Sequence, residues 1–128
     1  MNYSMMLPLA FPGAEWALYD SHDFGSLVWG PNNTIPQPSH ADLLAAFELV
    51  KPQEAMRLLR LKRNELLQQS DVFVFPDFPH KDEATKQAWL AYRQALRDLP
   101  SISSPQLLLP SLELDESSVA WPAKPISS

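Results

Sequence analysis

The segment DVFVFPDFPHKDEATKQAWLAYRQALRDLP, Asp71 to Pro100, decides how this chain folds, because one half must be helical and the other must not. In the second half Asp82 stands as an N-cap, and Thr85, Ala88, Trp89, Tyr92, Ala95, Leu96 and Leu99 recur at the i, i+3, i+4, i+7 spacing of one helix face. Pro100 is the expected stop, and Lys86, Arg93, Gln94 and Arg97 are left to face outward. In the first half Val72, Phe73, Val74, Phe75 and Phe78 crowd around Pro76 and Pro79, so an extended connection is expected. Strand-like alternation would put Phe73 and Phe75 on one side and Val72 and Val74 on the other. Only one side can pack on the helices. The other needs the N-terminal strands, a second subunit or another protein.

Upstream lies the partner helix, PQEAMRLLRLKRNELLQQS from Pro52 to Ser70, rich in strong helix formers and led by a proline suited to a first turn. Wound at about 100° per residue, Ala55, Met56, Leu59, Leu66 and Leu67 share a stripe that also contains Arg63. Such an arginine either snorkels or meets a carboxylate, for which Asp71, Asp77 and Asp98 are placed. Leu58 and Leu61 fall off the stripe and are candidates for covering the preceding helix or for a subunit contact. That preceding helix is short: Ser39 caps it, Leu43, Leu44, Phe47 and Val50 form its apolar face, and Pro52 ends or restarts it.

The flanks differ in kind. Residues 1–38 read as strands and turns, with EWALY (Glu15–Tyr19) and SLVW (Ser26–Trp29) joined by the turn-rich DSHDFG and closed by GPNNTIPQP. A lone hairpin is marginal in water, so it must lean on something. Thirteen prolines against three glycines, clustered in Leu7–Pro38, Pro76–Pro79 and Pro100–Pro125, predict extended rather than helical backbone in those regions. Residues 101–128 are proline- and serine-rich, yet LLL, LEL and VAW are too apolar for a purely solvated tail. The expected fold is α+β: a small N-terminal β-rich region (1–38), a helical domain (39–100) made of an antiparallel helical hairpin plus the short preceding helix, and an extended Pro-rich C-terminal arm (101–128).

Composition narrows the chemistry. A formal charge of −5 argues against a general nucleic-acid binder, although RLLRLKR, Arg57 to Arg63, concentrates four of the ten basic residues. With no cysteine, disulfides, thiol catalysis and Cys-type zinc sites are excluded together. His22, His40 and His80 sit in three separate turn-like places and are read as solvated loop residues. There is no Gly-x-Ser-x-Gly elbow and no phosphate-cradling glycine loop. Asp82–Glu83 and Asp115–Glu116 belong to a helix start and a polar arm. No catalytic residue, metal ligand set, cofactor or small-molecule substrate is therefore expected. MMLPLAF lacks a preceding Lys or Arg and is interrupted by proline, so no secretory signal is expected, and no apolar stretch approaches membrane-spanning length.

What remains is recognition. Trp16, Trp29 and Trp121 lie in extended segments beside the Phe73, Phe75 and Phe78 cluster, and tryptophans are enriched at interfaces. The alternative is that they build a small β core. The succession MRLLRLKRNELLQQSD, FPDFP, AWLAYRQALRDLP and WPAKP, with GAEWALYD and GSLVWGP at the front, resembles the tail fibre assembly proteins of tailed bacteriophages over most of the chain. The order running from Arg60, Arg63, Asn64, Leu66 and Leu67 through Ser70 and Asp71 to Trp89, Tyr92, Arg93, Leu96, Arg97, Asp98 and Pro100 carries the likeness. Where that family usually has Trp after the Asp and then a polar run, this chain has Val72, Phe73, Val74 and Phe75.

The resemblance implies a non-enzymatic chaperone, active in the host cytoplasm, that binds the distal part of a tail fibre polypeptide and aids its trimerisation. Intertwined β-rich trimers fold slowly and expose strand edges meanwhile, so a covering partner lowers the aggregation risk. The partner-binding candidates are Trp16, Trp29, Phe73, Phe75, Phe78 and Trp121. Leu58, Leu61, Arg63, Trp89, Tyr92 and Arg93 are the assembly or structural candidates, in a homotrimer matched three-to-three with the fibre. The competing readings are a permanent structural or adaptor component of the tail, and a regulator using the basic helix on nucleic acid.

Overall fold

The computed structural model describes residues 1–126. In chain order they form α1 (Tyr3–Ala10), β1 (Trp16–Leu18), β2 (Leu27–Trp29), α2 (His40–Ser70), α3 (Glu83–Ile102), β3 (Gln106–Leu107) and β4 (Leu114–Asp115). Short 3-10 turns stand at Phe24–Ser26, Asp71–Val74 and Glu116–Ser118. The class is α+β, with two small antiparallel sheets and one long helix. The chain divides into two compact units: Met1–Ala55 with Gln106–Leu114, and Met56–Pro105 with the residues from Asp115 onward.

In the first unit β1 and β2 pair antiparallel, Trp16 opposite Trp29, Ala17 opposite Val28 and Leu18 opposite Leu27. Three residues per strand cannot stand alone in water. The hairpin leans on a core of Tyr3, Met6, Leu7, Leu27, Leu43, Phe47 and Leu112, with Trp16, Leu18 and Trp29 packed against it. Alternation supplies the inward face, since Ala17 and Val28 are exposed while their neighbours are buried or half-buried. Gly30 ends β2 because a Cβ there would lie 2.7 Å from the Cβ of Glu15, closer than side chains approach. Leu112 holds a left-handed φ of 60° while its side chain is buried in the same core.

The start of α2 is the expected cap in reciprocal form: Asp42 N–H donates to Ser39 Oγ and Ser39 N–H to the Asp42 carboxylate, each at 3.0 Å. Leu43 and Phe47 are buried, and Leu44 and Val50 pack against the same cluster, as the periodicity of that face predicts. In the second unit five of the seven residues read as the apolar face of α3, Thr85, Trp89, Tyr92, Leu96 and Leu99, are buried, while Ala95 is half-buried and Ala88 at the edge of the face is exposed. Asp82 caps α3 by accepting from Thr85 N–H at 2.8 Å. Those two hydrogen bonds from Thr85, main chain and hydroxyl, hold the Asp82 carboxyl below its ordinary pKa.

Four expectations are corrected. The proline-punctuated N-terminus is not wholly extended: Tyr3–Ala10 is helical with Pro8 inside it, on an exposed position, while Met6 and Leu7 anchor the opposite side in the core. Pro52 neither ends nor restarts a helix. It lies within a continuous 31-residue α2, where its missing N–H leaves a single gap in the ladder. Pro100 likewise does not stop α3, which runs on to Ile102; Ser101 and Ser103 hydroxyls then donate to the Asp98 and Leu99 carbonyls. Finally, the segment 71–80 is not strand-like, because Asp71–Val74 forms a 3-10 turn before the chain straightens at Phe75.

Beyond α3 the backbone pairs β3 with β4 as a two-stranded sheet, with Leu108 N–H donating to Glu113 C=O at 2.7 Å. A turn at Glu116–Ser118 follows, capped by Asp115, and Val119 is buried. Residues 119–126 carry no regular element. Ser127 and Ser128, the last two positions of the expected 101–128 arm, lie outside the described residues.

Candidate interaction surface

In the second unit, the junction between α2 and α3 is fixed by three interlocked devices. Arg93 is the first. From α3 its Nη1 donates to Leu67 C=O at 2.6 Å and to Ser70 Oγ at 2.7 Å, and pairs with Asp71 Oδ1 at 2.8 Å. Leu67 belongs to the last turn of α2, where carbonyls have no intrahelical partner and carry partial negative charge. The guanidinium therefore caps α2 from another helix. Ser70, only 2 % exposed, relays the same contact by donating to Leu67 C=O at 3.0 Å. Arg93, an assembly or structural candidate that helix periodicity places outward, has a side chain only 11 % exposed and turned onto α2.

The second device is aromatic. Phe73 stacks on Trp89 with ring centroids 4.0 Å apart and planes 16° from parallel, and Phe78 meets Phe73 edge-on at 5.1 Å. Trp89 in turn packs edge-on against Tyr92 at 5.8 Å, and Leu66, Leu67 and Phe73 close the cluster around Trp89, Tyr92 and Leu96. Burial pushes the Tyr92 phenol up from its ordinary pKa. The third device is His80, whose Nε2 lies 2.6 Å from Phe73 C=O. A carbonyl can only accept, so Nε2 carries the hydrogen in this contact, and Nδ1 is buried without a partner. His80 is thus a loop clamp rather than a solvated turn residue.

These anchors sort the loop into an inner and an outer set. A 3-10 turn brings round every third residue rather than every second, so Phe73 and Phe75 no longer share a side. Phe73 is half-buried and turned inward; Phe75 is 59 % exposed and Val72 43 % exposed on the same loop. Phe78 is half-buried against Phe73 and His80.

The remaining candidates scatter. Leu58 is half-buried and Leu61 exposed on α2. Arg63 gives its Nε–H to neighbouring Asn64 at 2.8 Å, while Asp71, one of the three carboxylates placed for it, binds Arg93. Trp121 is half-buried with its indole N–H buried and unpartnered, near the C-terminal end of a segment tied to α2 by a 2.8 Å Lys62–Glu116 pair. That hydrogen bond and the opposite charge raise the Lys62 pKa. In the first unit Trp16 and Trp29 face each other across the hairpin and flank its core, with Trp29 Nε1–H donating to Ile35 C=O at 3.0 Å and Phe11 edge-on to Trp29.

Sequence reading named Arg93 as an assembly or structural candidate but missed its contacts with Leu67 and Ser70 and the role of His80. A serine and an aspartate directly after an apolar helix end, with an arginine one turn beyond a Trp on the next helix, is the signal that was available. Among the described residues no group of His, Asp and Glu is arranged to hold a metal ion, and no helix is long and apolar enough to cross a membrane.

Fold and surface together define a small α+β protein whose two-helix junction presents apolar side chains on a braced loop. The family model for phage tail assembly chaperone proteins matches residues 56–126, more than half of the chain, and the chain belongs to that family. The match begins where the second unit does and takes in the Arg93 cap, the aromatic stack and the Trp121 segment. No curated protein and no solved structure matches the chain.

Proposed function

We propose that this tail assembly chaperone is a non-enzymatic folding partner of the tail fibre, acting in the host cytoplasm on the distal part of the fibre polypeptide. The observation that carries this reading is Phe75 and Val72, large apolar side chains exposed on a loop whose backbone is braced by Arg93, Phe73 and His80. Exposed apolar groups on a rigid mount bind with little ordering cost, which suits transient capture of apolar fibre strands. Family membership supports the assembly role. Threefold fibres favour a matching arrangement of three chaperone chains, each with one fibre strand.

The test is co-expression with the neighbouring fibre protein, followed by purification and mass measurement of the complex. A three-to-three complex, with fibre solubility dependent on this chain, is the expected outcome. No complex, and fibre solubility indifferent to the chain, overturns the reading. Quantifying the chain in purified virions separates a released chaperone from a permanent tail component: the expected ratio to fibre is far below one.

A further inference from the structure

The two units carry very different charge. The first holds seven carboxylates against a single lysine, Lys51, a formal −6, whereas the second holds nine basic against eight acidic residues. Within the acidic unit, β1 has an open edge. Gly30 N–H donates to Glu15 C=O at 2.8 Å, which sets the register so that Ala17 and Val28 exchange main-chain hydrogen bonds and Trp16 and Leu18 point theirs away from β2. Neither Trp16 nor Leu18 gives its outward N–H or C=O to any other described residue. The opposite edge is less available, because the Leu27 N–H already donates to Phe24 C=O and Leu27 is buried.

Apart from its length of three residues, β1 has none of the lysines, prolines or bulges that blunt such an edge. Its outer face carries exposed Glu15, Ala17 and Tyr19, with Val28 beside Ala17. Tyr19 is 88 % exposed, a large side chain with almost no packing of its own. A groove of about 400 Å³, lined by Phe11, Glu15, Asn33 and Ile35 among others, opens at the start of the strand.

We propose that the β1 edge of the acidic unit accepts an extended, basic segment of the tail polypeptide as an added strand. Two donors and two acceptors repeated about 7 Å apart are matched only by another extended main chain. The Glu15 carboxylate and the face of Tyr19, on the same exposed side as Ala17, select Lys or Arg opposite them, four residues apart in that segment, and the apolar Ala17–Val28 pair takes the residue midway between. The identity of the client rests on the chaperone reading; the strand geometry does not.

The probe is a synthetic peptide that repeats Lys-Thr-Val-Thr, so that Lys and Val alternate on one face, compared with the same peptide N-methylated at every residue, each added to the full-length chain. Amide hydrogen exchange at Trp16 and Leu18 is expected to slow by about tenfold or more with the first peptide and to stay unchanged with the second. Glu15→Lys with Tyr19→Lys is expected to weaken binding by about tenfold or more, with Asp77→Lys as the unaffected control, and about 0.5 M salt to weaken it in the unaltered chain. Equal binding of both peptides, binding by neither, or protection confined to other residues overturns the proposal. In the co-expressed fibre complex, unchanged exchange at Trp16 and Leu18 overturns the added strand while leaving the chaperone reading intact. Failure to form that complex overturns the chaperone reading, and the peptides still judge the edge.

Discussion

The Phe73 ring lies flat on the Trp89 indole, centroids 4.0 Å apart, and that stack is what turns Phe75 outward two residues later. Truncating the inner ring and the outer ring should therefore have opposite signatures. Phe73→Ala is expected to lower unfolding stability by about 3 kcal/mol, from lost burial plus the aromatic pair. Phe75→Ser is expected to change it by less than about 0.5 kcal/mol while reducing fibre capture. Urea titrations of both variants beside a co-purification assay read the two effects. If Phe75→Ser unfolds the chain, the outer ring is core.

Arg93 joins α3 to the end of α2 through a carbonyl, a hydroxyl and a carboxylate. Arg93→Ala is expected to cost about 2–3 kcal/mol, since Leu67 C=O and the buried Ser70 lose a charged donor. Asp71 is half exposed, so Asp71→Asn is expected to cost less than about 1 kcal/mol. Thermal melts of the single and double variants close a cycle that isolates the ion pair from the cap.

Pro52 sits mid-helix without an N–H, and its ring crowds the carbonyl four residues before it. Pro52→Ala restores that hydrogen bond and is expected to raise stability by about 1–2 kcal/mol, less than the full interior proline penalty because alanine also frees the unfolded chain. Denaturant unfolding measures it directly. A loss of stability would mean that α2 uses a bend at this residue.

Acid should loosen α3 at its first turn. The Asp82 carboxyl has a folded pKa below its ordinary 3.8, so its cap contributes above that value and is lost as pH falls through the lower folded one. Asp82→Asn keeps the capping oxygen but cannot titrate. The variant is expected to match the parent near neutral pH and to lose less stability below about pH 4, followed by urea unfolding as a function of pH. Identical acid profiles for the two chains would remove Asp82 from the acid response.

The face of α3 was legible from residue order alone, since Thr85, Trp89, Tyr92, Leu96 and Leu99 repeat at helical spacing and Asp82 can only start the element. So was the Ser39 cap, though not the return hydrogen bond from Ser39 N–H to Asp42. The hairpin of β1 and β2 was legible as strands, though not what supported it, because α1 hides its helicity behind Pro8. Proline bars a helix only through one hydrogen bond and one steric contact, and burying Met6 and Leu7 outweighs both. The same local rule misplaced the ends of α2 and α3.

Sequence by itself thus determined which residues had to be apolar faces and which helices had to exist, because periodicity and caps act within a few residues. Tertiary structure alone decided what Arg93, His80 and the loop phenylalanines do. A long guanidinium on α3 finds the carbonyls of α2 only once the two helices meet. A 3-10 turn replaces strand alternation only because Phe73 has Trp89 to stack upon, a partner sixteen positions away in the chain.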